Sequence, residues 1–447
     1  MKNFKDVLVW KYNACPPNCR FCEEACAQRE GAFGSAIQEV DIPEVDFHGV
    51  IACIQCSTPR CAEICPTGAL VKDEKDEVVR LQQEKCVGCG LCTLECPYGG
   101  IYYNSEKQKS IKCDTCNNDP KCVPACPYGV LEFLRNSELQ RSLHDEDLLS
   151  PGVRTCPGCV AELALRLTLR VLGRDSVLFG APGCMLPAIL GSDIRASTKL
   201  TTFPCLFTNV MATMTGVYRV YRQSGKRAHI VAFVGDGCIA DIGFQSLSGA
   251  AERGENLIVI VYDNEGYMNT GIQRSSTTPI HAWTTTSPVN GSYRGKPKKS
   301  KYVPLIMLAH DIPYVATASI AYLGDYFQKL TKAMAVRDGL AYIHLFSPCP
   351  TGWRAPMDSA ITISRLAVET NYFPLWEAEH GKLRLTKEIL NPKPVHELAR
   401  QMGKFSHLRG DELEQLQDSV NHRFDMIKSI DNRNREYELR QEDIKRD

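Results

Sequence analysis

The sequence predicts two domains of different class: a small α+β domain of cysteine-rich repeats, then a larger α/β domain on a parallel sheet with helices on both faces. Three observations carry this. Sixteen of the 22 cysteines fall between Cys15 and Cys126, in runs that share a frame. From His229 to Tyr262 two apolar, strand-length runs flank one helical pattern, a βαβ unit whose strands run parallel. Apolar and helical segments then alternate to about Val368, as in α/β chains.

Composition narrows the function classes first. A chain of 447 residues has room for two to four domains. Lys+Arg and Asp+Glu balance at 52 each, so no strong field points to nucleic acid or an anionic membrane. Met1 to Tyr12 holds no long apolar segment and no small-residue cleavage site. Runs such as Leu257 to Val261 are far short of a membrane span. A cytoplasmic protein is expected, and in that compartment thiols stay reduced. The cysteines therefore read as metal ligands rather than disulfides.

The repeat comes first along the chain. CIQCSTPRCAEICPTGAL from Cys53, CVGCGLCTLECPYGGI from Cys86 and CDTCNNDPKCVPACPYGV from Cys113 share a frame, and CPPNCRFCEEAC from Cys15 is a looser fourth copy. Cys86, Cys89, Cys92 and Cys96-Pro97 form a full bacterial ferredoxin run, in which three close thiolates grip one [4Fe–4S] cube and the fourth reaches a neighbour. Structural zinc pairs two doublets and does not need three close thiols plus Cys-Pro. Four such runs resemble the four-cluster ferredoxin-like subunits of molybdenum oxidoreductases, over about residues 8 to 135. That resemblance implies crossed ligand sets. Cys53, Cys56 and Cys61 would join Cys96, and Cys86, Cys89 and Cys92 would join Cys65. Cys15, Cys19 and Cys22 would join Cys126, and Cys113, Cys116 and Cys122 would join Cys26. Residues 1–135 are thus expected as a four-cluster domain, 136–152 as a linker closing in Ser-Pro-Gly, 153–410 as the α/β domain and 411–447 as a charged, solvated helix and tail.

In the second domain, His229–Val234 reads as a buried strand ending at Gly235-Asp236-Gly237. Ile239–Arg253 reads as a helix stopped by Gly254, and Asn256–Tyr262 as the next strand, ending at Asp263-Asn264. Asp236 and Asn264 then sit at the carboxyl edge, where open α/β sheets bind ligands. Two hard oxygen ligands there suit Mg²⁺, which keeps positions open for phosphate. Gly235 and Gly237 would let backbone approach a diphosphate, and the helix N-terminus favours the anion. The Gly-, Ser-, Thr- and Pro-rich stretch Gly266–Ser300 reads as a long loop serving that site.

GDGCIADIGFQSL, YDNEGYMNTGIQRSSTTP, WTTTSPV and SPCPTGW resemble the thiamine-binding subunit of 2-oxoacid:ferredoxin oxidoreductases, the pyruvate synthase family, from about Arg154 to Leu408. The resemblance implies a thiamine diphosphate site with Mg²⁺ on Asp236, Asn264 and the Gly266 carbonyl, Asn269 facing the reacting carbon and Thr270 beside the diphosphate. It also implies a fifth [4Fe–4S] cluster on Cys156, Cys159, Cys184 and Cys349. Cys205 and Cys238 are left over as structural thiols. His281 and His310 read as incidental loop histidines rather than acid–base groups, and Lys296–Lys301 as a solvated basic loop.

The implied activity is CoA-dependent oxidative decarboxylation of a 2-oxo acid, with electrons leaving one at a time through the clusters. A pyrimidine-binding subunit would have to complete the thiamine site. The fused four-cluster arm resembles phenylglyoxylate dehydrogenases, which form benzoyl-CoA and pass electrons through a flavin subunit towards NAD. Pyruvate, indolepyruvate or a branched oxoacid, with ferredoxin as acceptor, stay open. So does a different class, an electron-transfer subunit with a relic thiamine fold, against which Asp236, Asn264 and Asn269 argue. A non-oxidative decarboxylase would not need Cys156, Cys159, Cys184 and Cys349.

Overall fold

The computed structural model describes residues 7–10, 15–16, 18–29, 34–42, 47–56, 58–134, 143–144, 146–191 and 197–446. The chain divides into two compact units, residues 1–141 and 142–447. Of the expected linker 136–152, residues 136–142 and 145 lie outside the described range, as do residues 1–6, 11 and 12 of the N-terminal stretch. The rest of that linker is not loose. Leu148 and Leu149 are fully buried, and Leu149 bridges to Thr198.

Among the described residues the first unit has eight short strands: β1 (Val7–Trp10), β2 (Ile37–Ile42), β3 (Phe47–Ala52), β4 (Leu70–Lys72), β5 (Val79–Leu81), β6 (Ile101–Asn104), β7 (Lys109–Lys112) and β8 (Leu131–Leu134). They form four antiparallel pairs, β1 with β8, β2 with β3, β4 with β5 and β6 with β7. Short helices Phe21–Ala27, Arg60–Glu63, Leu91–Leu94 and Cys122–Ala125 each carry a cysteine. The apolar clusters are small, and cysteines sit inside them: Cys22, Cys26 and Cys122 in one, Cys92 in another. Pairs this short do not stand alone in water, so ligation is the natural staple.

The second unit holds β9 (Ser176–Gly180), β10 (Thr201–Pro204), β11 (His229–Gly235), β12 (Ile258–Asp263), β13 (Val289–Asn290), β14 (Tyr293–Arg294), β15 (Tyr314–Ser319), β16 (Ala341–Phe346), β17 (Leu375–Glu379) and β18 (Lys382–Lys387). Eight of them form one sheet in the order β10-β9-β11-β12-β16-β15-β17-β18. The first six are parallel, as expected of βαβ units. The last two are not: β17 and β18 add an antiparallel hairpin at one edge. Its two-residue turn, His380-Gly381, has positive φ at both positions (46° and 77°), the geometry that matches hairpin twist.

β12, β15 and β16 are buried at every residue, because helices cover both faces. On one face Val210, Met211 and Met214 of helix Val210–Gln223, with Val303 and Met307, pack against Ile230, Ala232, Val234, Val259 and Val261. Helix Leu323–Ala335 packs on β15, β16 and helix Val160–Leu172. The C-terminal segment departs from expectation. Gly410–Arg446 is one continuous helix that packs on β18 and buries Leu416, Val420 and Ile427. Asp431, 2% exposed, meets Arg435 at 3.0 Å and is also ion-paired with Arg384 of β18.

Candidate active site

β11 and β12 are parallel neighbours, so Asp236 and Asn264 emerge together at the carboxyl edge of the sheet. Asp236 is 1% exposed. Its Oδ1 accepts from the Asn264 backbone N–H (3.3 Å) and its Oδ2 from the Thr277 hydroxyl (2.9 Å). Burial, reinforced by the charge of Asp263, raises its carboxyl well above the usual range. The Asn264 side-chain oxygen faces two further acceptors, Asp236 Oδ1 at 3.1 Å and Gly266 O at 2.9 Å. Without a cation, a half-turn of the amide brings Nδ2 there to donate to both. With one, three oxygens converge at the spacing of adjacent ligands in an octahedron of radius about 2.0–2.1 Å, the geometry Mg²⁺ demands. The donor set fits Mg²⁺.

The turn after Asp236 is not the simple helix start expected. Residues Gly237–Ile242 form a wide turn closed by Gly243 N–H to Cys238 O (2.8 Å), and the helix proper is Phe244–Glu252. Wide turns of this kind are frequent at functional sites. Asp241 makes the break. It accepts from the Tyr267 hydroxyl (3.0 Å) and the Ser276 N–H (3.2 Å), which ties the long loop to the turn. A Cβ at Gly237 would lie 2.5 Å from the Tyr267 ring, so glycine here also makes room for that ring. Gly254 ends the helix at φ +64°.

Within the loop, the Thr277 hydroxyl lies equally close to Asp263 Oδ1 (2.9 Å), so its one proton is shared between the two carboxylates, and Thr278 donates to the Glu265 carbonyl (2.7 Å). Lys296 is not solvated. It is 4% exposed, its ammonium donates to the carbonyls of Ser276 (2.9 Å) and Thr278, and burial lowers it to about 8. The Ser276 carbonyl also accepts from the Lys301 N–H (2.9 Å), so the ammonium and the backbone together hold this part of the loop. Asn269 and Thr270 are exposed, and Thr270 donates to Gln273 Oε1 at 2.6 Å. His281 meets Gln415 (2.9 Å), and His310 meets Ser248 (2.8 Å) and the Ile306 carbonyl (2.9 Å). Cys238 is buried with its thiol on the Phe207 carbonyl (3.4 Å), and Cys205 is half-buried.

Two buried networks brace the edge from below, and neither was visible in the sequence. His344 Nε2 lies 2.8 Å from Asp263 Oδ2, and its Nδ1 2.7 Å from the Tyr342 hydroxyl. Burial alone would raise the Asp263 carboxyl, but His344 brings it below the usual range. Glu265 forms an ion pair with Lys404 and accepts from the Tyr372 hydroxyl (2.6 Å). The Lys404 ammonium sits 3.4 Å from the centre of the Trp353 ring, and Trp353 Nε1 donates to the Asn264 carbonyl (2.9 Å).

Cys156, Cys159, Cys184 and Cys349 gather beside this edge. Cys159, Cys184 and Cys349 each stand at the start of a helix or helical turn, and Cys349 Sγ accepts from the Gly352 N–H (3.3 Å). Burial pushes Cys159 up to about 11 and Cys184 up to about 12, and the other thiols of the group push further. Asp236 adds to this at Cys184 and Cys349. Asn264 Nδ2 lies 3.9 Å from Cys184 Sγ.

In the first unit, Cys65, Cys86, Cys89 and Cys92 line one pocket, and Cys53, Cys56, Cys61 and Cys96 line another. Burial lifts Cys15 to about 12, with Cys19, Cys22 and Cys126 adding to it. Burial likewise lifts Cys122 to about 12, with Cys113, Cys26 and Cys116 next. Backbone N–H groups of Ala36, Gln55, Ala69 and Val130 point at Cys26, Cys53, Cys65 and Cys126 at 3.2–3.4 Å. Among the described residues no three His, Cys, Asp or Glu side chains close on one point as a single-ion site does; thiolates around a four-iron cube stand farther apart. No helix among the described residues is long and apolar enough to cross a membrane.

Comparison with known proteins gives matching signals in both units. Residues 168–345 match the thiamine pyrophosphate enzyme C-terminal TPP-binding domain, and residues 47–136 match a 4Fe-4S dicluster domain. The chain is 42% identical over 417 residues to the NADH-dependent phenylglyoxylate dehydrogenase subunit beta of Aromatoleum evansii, covering 90% of this chain and 92% of that one. It is 45% identical to the pyruvate synthase subunit PorB of Methanothermobacter marburgensis, over 62% of this chain and 96% of that one. It is 39% identical to the ketoisovalerate oxidoreductase subunit VorB of Pyrococcus furiosus, over 67% and 98%. A thiamine-binding α/β unit, an iron–sulfur arm and these relatives together place the chain in the 2-oxoacid oxidoreductase family, as a subunit of a multi-subunit thiamine- and iron–sulfur-dependent enzyme.

Proposed function

We propose that this chain is the thiamine subunit of a CoA-dependent phenylglyoxylate dehydrogenase, forming benzoyl-CoA. The arm supports this choice of substrate. The pyruvate and ketoisovalerate relatives are matched almost end to end within 62% and 67% of this chain, whereas the phenylglyoxylate relative is matched over 90% of it, arm included. Pyruvate, indolepyruvate or a branched oxoacid is the second reading, favoured by the comparable identity of the shared region.

Asp236 Oδ1, Asn264 Oδ1 and Gly266 O would hold Mg²⁺, and the convergence of those three oxygens is the observation that carries the cofactor reading. When bound, thiamine diphosphate supplies a carbon nucleophile and electron sink for decarboxylating the 2-oxo acid. Asp241 and Tyr267 hold the Gly235–Gly237 turn against the loop, and Asn269 and Thr270, on its exposed tip, would face the reacting carbon and the diphosphate. A pyrimidine-binding subunit closes over that tip and supplies the activating glutamate. Cys156, Cys159, Cys184 and Cys349 would hold a proximal [4Fe–4S] cluster, which would supply one-electron transfer. The sets Cys53/Cys56/Cys61/Cys96, Cys65/Cys86/Cys89/Cys92, Cys15/Cys19/Cys22/Cys126 and Cys26/Cys113/Cys116/Cys122 would hold four more cubes in the arm as further one-electron carriers. A flavin subunit reducing NAD is the terminal acceptor, with ferredoxin the alternative.

The test is to offer the purified complex each 2-oxo acid with CoA under anaerobic conditions and follow bleaching of the cluster absorbance. Rapid bleaching by phenylglyoxylate, with benzoyl-CoA formed, is expected. Preferential bleaching by pyruvate or a branched oxoacid refutes the substrate assignment, and bleaching by none refutes the enzyme reading.

A further inference from the structure

We propose that the ammonium of Lys112 is an electrostatic tuning group in the arm, raising the reduction potential of the cluster on Cys53, Cys56, Cys61 and Cys96. The proposal rests on the ligand sets given above. Lys112 is 4% exposed, at the end of β7. Its Nζ donates to Gln55 Oε1 (3.1 Å), Val79 O (2.6 Å) and Cys113 O (3.0 Å), which uses all three of its protons. All three acceptors are neutral. Of the other deeply buried lysines, Lys296 donates to the carbonyls of Ser276 and Thr278, whereas Lys329 and Lys404 each have a carboxylate, Asp325 at 2.6 Å and Glu265 respectively. Among the described residues none pairs with Lys112.

A buried cation without a carboxylate partner costs several kcal/mol, a cost that the negative charge of a neighbouring cluster would offset. Lys112 lines the same pocket as Cys53, Cys56, Cys61 and Cys96. Its charge favours the thiolate forms of Cys61 and of Cys113, its chain neighbour. The supporting side chain is fixed as well. Gln55 is 2% exposed, and its amide N–H donates to Cys53 Sγ (3.4 Å). Its Nε2 donates to Cys113 O (2.8 Å), while its Oε1 also accepts from the Val79 N–H (3.0 Å). One glutamine therefore locks the ammonium against the pocket.

A cube with four thiolates is dianionic when oxidised and trianionic after taking one electron. A fixed positive charge stabilises the trianion more, and net charge near a cluster is one of the quantities that sets its potential. The electron added to this cluster would thus be held more firmly than in the same ligand set without Lys112.

The experiment is an EPR-monitored redox titration of the whole complex carrying Lys112→Met, Lys112→Arg or Lys112→Gln, with iron counted in each. For Lys112→Met, one cluster should lose at least tenfold in its one-electron reduction equilibrium, about 59 mV lower. Iron content should be unchanged and Lys112→Arg should keep the native potential. No movement of any potential in Lys112→Met, or an equal drop in Lys112→Arg, overturns the proposal. If Lys112→Met loses iron, Lys112→Gln against Lys112→Arg is decided by the same criteria. Cys56→Ser separates the ligand set from the tuning. If that variant keeps every cluster signal, ligand set and proposal both fall. A lost signal with a potential that Lys112→Met does not move overturns the tuning alone.

Discussion

Lys404→Met isolates the buried ion pair that braces the proposed Mg²⁺ ligands. Glu265 lies between Asn264 and Gly266, and its side chain and that of Lys404 are only 8% and 3% exposed. Burial outweighs pairing at both groups, raising the Glu265 carboxyl and lowering the Lys404 ammonium. Removing the lysine leaves a buried carboxylate with the Tyr372 hydroxyl as its remaining side-chain partner, a loss of about 3–5 kcal/mol. Unfolding entropy of about 2.1 cal/mol/K per residue over residues 142–447 is about 0.6 kcal/mol/K, so about 4 kcal/mol lowers the midpoint by about 6 °C. Thermal unfolding followed by tryptophan fluorescence reads this, since Trp353 touches Lys404. The double variant Glu265→Gln with Lys404→Met should recover at least half of the loss, because a neutral amide still accepts from Tyr372 and methionine still packs on Trp353. A midpoint for Lys404→Met within about 1 °C of the parent, or a double variant no better than the single, would refute the reasoning.

Asp236→Ala should abolish Mg²⁺-dependent thiamine diphosphate retention while leaving the cluster absorbance; equilibrium dialysis showing unchanged cofactor would mean the metal site is elsewhere. Thr277→Val removes the hydroxyl between Asp236 and Asp263. Leaving those acceptors unserved costs about 1–3 kcal/mol, and a Mg²⁺ affinity unchanged in titration calorimetry would count against that bridge. Five cubes predict about 20 iron atoms per chain, and anaerobic analysis finding half that number, or stoichiometric zinc, contradicts the ligand sets. Cys349→Ser should let substrate and CoA bind yet leave the arm oxidised in rapid-freeze EPR; arm reduction at the parental rate would rule out a proximal cluster.

What the sequence made legible was local. Gly235-Asp236-Gly237 and Asn264 declare themselves because each closes an apolar strand, and two parallel strands can only deliver both to one edge. The cysteine runs are legible for the same reason, their spacing being short. What stayed hidden depends on contacts between distant segments. Glu265 and Lys404 are 139 residues apart, and Asp263 and His344 are 81 apart. No periodicity joins them. Lys296 reads as solvated because a basic run usually is, yet the loop carbonyls of Ser276 and Thr278 draw it inside. Asp241 was passed over since the apolar pattern from Ile239 continues as a helix, and only the loop bonds reveal the break. The Gly410–Arg446 helix reads as charged along its length, and the sparse stripe of Leu416, Val420 and Ile427 was too weak to announce its packing on β18.

The edge where β9, β11, β12 and β16 end is unfavourable as protein alone. Asp236 and Cys184 are both pushed away from their charged forms by burial, and the charge of Asp236 pushes Cys184 further. Asn264 faces acceptor oxygens with one end of its amide and a cysteine sulfur with the other. A sequence selected for stability would not bury a carboxylate beside a group of thiols. Cations would reverse the signs in that account: Mg²⁺ at the oxygens and iron at the sulfurs would both favour the charged ligands, and the free energy of binding them would become free energy of folding. Because one asparagine borders both groups, the two proposed sites share a wall. That adjacency is the physical reason for reading the α/β unit as an oxidative enzyme rather than a simple decarboxylase.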